Sequence, residues 1–356
     1  MLYRFSISIL VFGMLIGVAP TDALALEAEW QQLINGISIG QVWALDGSAH
    51  RLYAGSSEGV FRSENNGQTW GRIGFDTQDP FDISVAALTV DRNSVYVGTW
   101  SSGLFRSDDA GETWKRINDG LWRQHSDETV IYGTARGFLI IDDTLINVMY
   151  HAGTYTSTNR GETWINVSEK WEQGNSIYNM TFFDGYLWSA ISHVWMARSA
   201  DKGETWQRLP LFEGGFTCDW AVFEGQLYAA ADEGVGRWNE TTQMWEYPMD
   251  GLPIGSAWDP NDPSWVWSFA VRGGRLFAGL ETHGVYIFDA DAERWSPAGL
   301  EGFSVHALLS HTDALYAGTD ENGIYRLEIP DVLTTTAIQP QGKALTTWAG
   351  MKQSLD

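Results

Sequence analysis

One octapeptide recurs four times without gaps, and its spacing limits what this chain can fold into. The copies run from Ser63 to Trp70, Ser107 to Trp114, Ser157 to Trp164 and Ser199 to Trp206, each reading S-x-D/N-x-G-x-T-W. Eroded copies end at Trp245 and Trp295, so the six tryptophans lie 44, 50, 42, 39 and 50 residues apart. A period of that length marks one supersecondary unit per repeat, each unable to bury its apolar surface alone and so forced to stack on its neighbours.

Each box follows a second element, clearest from Leu52 to Gly55, Val95 to Gly98, Leu276 to Gly279 and Leu315 to Gly318. Weaker versions stand at residues 146–149, 187–190 and 227–230, which makes seven. A further apolar stretch precedes each one, as at Val42 to Leu45 and Val305 to Leu309. β-Branched and aromatic residues bounded by Gly, Asp and Asn turns read as strands. Four short strands per unit is the pattern of a propeller blade. The sequence therefore predicts an all-β, seven-bladed β-propeller with four-stranded blades over residues 26–330. The seventh unit lacks its own outer strand. The segment from Glu29 to Leu33 resembles the outer strands that follow the boxes, so the N-terminal strand is expected to close the ring and cover an edge.

The octapeptide is the Asp-box, or BNR repeat. With it the chain resembles the Asp-box propellers: sialidases, xyloglucanases, sortilin-type receptor domains and photosystem II assembly factors. The resemblance covers residues 27–330. It implies the fold but no single activity, because these relatives do unrelated things on one scaffold.

Within the box, a carboxylate or amide can accept backbone N–H bonds in the turn. Asn65 and Asn159 stand where Asp109 and Asp201 stand in the other copies. A catalytic acid would not survive that exchange, whereas a turn would. Trp70, Trp114, Trp164 and Trp206 are expected to wedge between blades with their indole N–H groups bonded. Calcium binding is the competing reading of these Asp- and Asn-rich runs, but they lack the full calcium-loop spacing and its distal Glu.

The opposite end of the propeller receives the long connections between blades and the turns from second to third strand. These are rich in aromatics and acids, and function in such folds lives on loops held by a rigid scaffold. Trp100, Trp122, His151, His193, Trp258, Asp127, Asp259 and Glu281 are the candidate ligand-binding residues. Asp76, Asp82 and Asp219 join Asp127 and Asp259 as carboxylates that could serve a hydrolase, which needs two at a set spacing.

Sialidases hold a substrate carboxylate with three converging arginines. Repeat positions and the box face account for the arginines here, leaving only Arg123 and Arg136 for the connection face, so that activity is not expected. His306 and His311 read as structural, and Cys218 as a small apolar residue. Neither a metal nor a cofactor is implied.

The chain carries 45 acidic against 22 basic residues, a formal charge of −23, which argues against nucleic acid as a partner. Arg4, the apolar run from Phe5 to Ala19 and the small residues Ala23 and Ala25 fit a secretory signal over residues 1–25. About 15 apolar residues fall short of the roughly 20 that span a bilayer. The expected product is a secreted or periplasmic monomer, free of the membrane after cleavage, with residues 331–356 as a linker and short tail. The main functional expectation is a non-catalytic protein that binds a protein or glycan through the blade-connection face. The alternative is a glycoside hydrolase acting on a neutral polysaccharide.

Overall fold

The computed structural model describes residues 29–33, 39–74, 84–126, 129–150, 152–168, 177–191, 195–210, 212, 215–253, 265–320 and 323–329. Residues 1–25 and 331–356 lie outside the described residues. Seven four-stranded antiparallel sheets form the propeller, with one additional two-stranded hairpin among the described residues. The innermost strands, in blade order, are Val42–Ser48, Val85–Asp91, Thr134–Ile141, Ile177–Phe183, Thr217–Phe223, Val266–Arg272 and Val305–His311. The middle strands lie between two neighbouring blades, so Ser94–Thr99 and Ala314–Thr319 are buried at every position. The outer strands Lys115–Arg116 and Gln207–Arg208 face solvent.

The core is a series of seams between blades rather than one central mass. Tyr53 and Val60 of the first blade pack with Val85, Val90 and Val95 of the second, and Trp114 covers the seam. The glycine of the second strand sets the seam's closeness. A Cβ on Gly55 would come within 2.4 Å of Val85, and one on Gly318 within 2.6 Å of Val42, where the seventh blade meets the first. Any side chain there would force the blades apart.

Ring closure falls where the sequence placed it. Gln31–Gln32 pairs antiparallel with the last strand, Gln31 opposite Arg326 and Gln32 opposite Tyr325. Trp30 Nε1 donates to Ala298 O of the preceding blade at 2.7 Å, the bond that Trp164 Nε1 makes to Ile117 O at 2.8 Å. Leu33 N–H donates to Ile324 O as Ile117 N–H does to Leu104 O, each at 2.9 Å. The N-terminal segment is thus an outer strand in every bond.

The hairpin was not foreseen. Arg123–Ser126 pairs with Thr129–Tyr132 in the connection between the second and third blades.

The boxes form one repeated turn. Ser107 Oγ accepts the Gly111 N–H at 2.7 Å and donates to Asp109 Oδ1 at 2.7 Å. Asp109 also accepts the Thr113 N–H at 2.8 Å and hydroxyl at 2.6 Å. Asn65 and Asn159 take the same Thr69 and Thr163 N–H groups, at 2.9 and 3.0 Å. Gly111 holds φ +97°, and a Cβ there would lie 2.3 Å from Ile73 of the preceding blade. Third-strand arginines lock two of the boxes to the preceding blade, Arg106 to Arg160 O and Glu162, and Arg62 Nη1 to Ala110 O at 2.7 Å with Arg62 paired to Glu112 at 2.8 Å. The expected indole bonds are only partly made. Trp114 and Trp206 bond within their own hairpins, to Gly111 O at 3.1 Å and Gly203 O at 3.0 Å. Trp70 is 6% exposed, yet its Nε1 finds no acceptor among the described residues, because burial of the ring against the seventh blade fixes its position.

Candidate functional site at the channel mouth

All seven innermost strands carry an irregularity near their first residues. Register shifts fall between Val42 and Ala44, Val85 and Ala87, Ala135 and Gly137, Ile177 and Met180, Thr217 and Asp219, Val266 and Ser268, and Val305 and Ala307. A bulge re-aims a side chain and is common beside functional sites. Here the bulged positions deliver Trp43, Arg136, Cys218, Trp267 and His306 to the wall of the axial cavity. Innermost strands begin at the blade-connection end, so this wall belongs to the mouth opposite the boxes.

The second-to-third-strand turns reach the same level. In five blades the first turn residue donates its N–H to the carbonyl preceding or opening the innermost segment: Ser57 to Gln41, Trp100 to Ser84, Asp232 to Phe216, Glu281 to Trp265 and Asp320 to Ser304. Their side chains therefore ring one rim.

Bulge and rim residues together build a continuous row of rings. Trp100 meets Trp43 edge-on at 5.8 Å, Trp43 meets His306 at 4.6 Å, and His306 meets Trp267 at 5.1 Å. Trp267 meets Trp265 at 4.7 Å, and Trp265 stacks on Phe216 at 6.4 Å. At the far end the Arg136 guanidinium lies 5.9 Å from the Trp100 ring and 5.1 Å from Tyr150. Six blades contribute, none supplying more than two of the rings. Trp100 is 38% exposed, and the other rings are half-buried. The rings thus form a contiguous surface along the channel mouth, distinct from the seams between blades.

The cavity at the mouth, partly open to solvent, measures about 140 Å³, against roughly 300–1,000 Å³ for pockets that engulf a drug-sized molecule.

Polar groups of the wall are largely committed to holding blades together. Asn179 Nδ2 donates to Cys218 O at 2.6 Å, and its Oδ1 accepts the Met180 N–H at 2.7 Å. Asp219 occupies the same strand position one blade on. Its Oδ1 accepts the Trp220 N–H and its Oδ2 the Phe269 N–H, both at 2.8 Å. Burial raises the Asp219 carboxyl to about 7 against the pull of those two bonds. Burial likewise depresses the His306 imidazole, opposed by Glu281 and Asp320. Its Nδ1 is buried with no partner among the described residues.

Of the sequence-derived candidates, Trp100 and Glu281 stand at this mouth. Glu281 accepts a hydrogen bond from Trp267 Nε1. Trp122 is 47% exposed but lies apart, its N–H donating to Tyr155 Oη at 3.1 Å beside the extra hairpin. Asp127, His151, His193, Trp258 and Asp259 lie outside the described residues, as do Asp76 and Asp82. His306 and His311 occupy opposite ends of one strand: His311 is buried and bonds Ala49 O at 2.7 Å, whereas His306 joins the ring row. Cys218 follows a bulge and lines the channel wall. Trp43 and Trp267 were missed altogether. Both hold the second position of their innermost strands, a place that His306 takes in the seventh blade.

Fold and mouth define the class of protein: a seven-bladed Asp-box-type propeller whose channel opens on a ring-lined rim. No protein-family model and no curated protein matches the chain. Solved structures do. YCF48 from Cyanidioschyzon merolae superposes with a TM-score of 0.63 at 12% identity, covering 84% of this chain and 98% of that one. YCF48 bound to a D1 peptide gives 0.62 at 11%, covering 85% and 97%. The GH74 xyloglucanase from Xanthomonas campestris gives 0.63 at 14%, covering 88% of this chain but 55% of the enzyme. At these identities the likeness is one of fold.

Proposed function

We propose that this chain is an exported, non-catalytic propeller that holds a protein or glycan ligand at the blade-connection mouth. The row of rings from Trp100 through Trp43, His306 and Trp267 to Phe216 carries the reading, because nothing in the fold requires aromatic side chains on the open side of a bulge. A structural neighbour, YCF48, has been solved with a D1 peptide bound, so propellers of this shape bind proteins. The hydrolase alternative rests on Asp219, a carboxyl titrating near neutrality beside a cavity. Both of its oxygens are nevertheless taken by backbone N–H groups of two strands, the bridging role Asn179 plays one blade earlier.

The purified protein incubated with a panel of plant and microbial polysaccharides is expected to release no new reducing ends. Turnover that disappears in Asp219→Asn would instead establish the enzyme. Ligands retained from the native exported fraction should be lost by Trp100→Ala and Trp267→Ala while Trp122→Ala retains them. Equal retention by all three variants would remove the mouth from consideration.

A further inference from the structure

The two ends of the ring row differ in charge. At the Trp100 end the protein supplies its own cation, the Arg136 guanidinium held over Trp100 and Tyr150. At the Trp265–Trp267 end three consecutive blades place a carboxylate at one turn position: Asp232, Glu281 and Asp320. Asp232 is buried behind the rim, and Glu281 and Asp320 are half-buried at it. None of the three has a Lys or Arg partner among the described residues. Several glutamates of the box face are treated otherwise: Glu64 pairs with Arg51 and Arg62, Glu162 with Arg106 and Lys115, and Glu246 with Arg237. Glu281 and Asp320 both also act on His306 in the ring row.

An indole face attracts a cation, and a carboxylate beside it adds a charged acceptor. We propose that the Trp265–Trp267 half of the mouth binds a lysine- or arginine-bearing segment of a partner protein, its cationic head at Glu281 and Asp320 and its alkyl stem along the rings. The proposal rests on the reading of the mouth as the ligand site. Charge complementarity selects the occupant. An acidic ligand is repelled there, and a neutral one gains no charge pairing at Glu281 and Asp320. The formal charge of −23 further steers a basic segment toward the surface.

The test uses fluorescein-labelled peptides of alternating Lys–Gly and Glu–Gly, together with a xyloglucan oligosaccharide, each titrated against the full chain at low and high salt. The Lys–Gly peptide is expected to bind, to weaken with salt, and to lose about tenfold in affinity in Glu281→Gln/Asp320→Asn. Glu281→Gln keeps an acceptor for Trp267 Nε1, so a thermal midpoint near that of the parent certifies the fold. Lys–Gly binding that the double variant leaves intact, or equal binding of the Glu–Gly peptide, overturns the proposal. Binding of the oligosaccharide alone, abolished by Trp267→Ala, would retain the mouth as the ligand site and refute the basic partner. Loss of neither probe in Trp267→Ala would refute both.

Discussion

At the residue scale, the chemistry of the box is decided by which groups can accept. Ser107 is almost fully buried, and its hydroxyl serves the Gly111 N–H and Asp109 together. Ser107→Ala strands that N–H and should cost about 1–3 kcal/mol in chemical denaturation. Asp109, whose bonds from Thr113 and then Ser107 hold its carboxyl down at about 2, gives the charged version of the Asn65 and Asn159 turns. A depressed acid stabilises the fold above its unfolded pKa and loses that contribution as pH falls toward 2. Asp109→Asn should therefore flatten the acid limb of the stability profile while keeping the turn. Asp219 has the opposite sign. Raised to about 7, it makes the folded state bind a proton the unfolded chain releases near 4, so stability should fall as pH rises through that window. Asp219→Asn removes this slope, though its amide would face the Phe269 N–H donor and lower stability at every pH. The slope is the measurement that decides; a profile unchanged by the substitution would refute the assignment.

At the scale of elements, the closing strand contributes two paired residues, yet it is fixed by what flanks them. Trp30 bonds Ala298 O, and Leu33, 5% exposed, fills the space over Gly67, where a Cβ would come within 2.6 Å of it. Leu33→Ala opens a cavity between the seventh and first blades and should cost about 2–5 kcal/mol. Deleting residues 26–35 should lower the thermal midpoint further and promote self-association, because the strand Ile324–Glu328 becomes a free edge. A truncated chain that melts like the parent would show that the ring does not depend on closure.

At the scale of the whole molecule, the two ends of the propeller carry separate duties. The box end is knitted by arginines that tie one blade to the next, as Arg106 to Glu162 and Arg237 to Glu293 do. The mouth end holds rings and carboxylates that no Lys or Arg among the described residues pairs. Perturbing one end should leave the other's property alone: Ser107→Ala lowers stability with ligand retention unchanged, and Trp100→Ala lowers retention with the thermal midpoint unchanged. Calorimetry paired with a binding assay on both variants checks this. A Trp100→Ala protein that melts early and still binds would reassign that ring to loop packing.

The residues by themselves determined the number of blades, the strand order within each and the strand that closes the ring. Those features are written in local chemistry: a hairpin that needs its acceptor and glycine, strands that alternate with turns, and a period long enough for four of them. Trp100 and Glu281 were legible because turns on the connection face can be counted from that period. Only the tertiary structure decided that they meet Trp43, Trp265, Trp267 and His306. Trp43 and His306 touch across 263 residues of sequence, because the innermost strands of the first and seventh blades converge on one axis. Which side chains line that axis depends on a register shift near the start of every innermost strand. The shift reverses the face that strand alternation assigns, and no residue pattern within a single blade announces it.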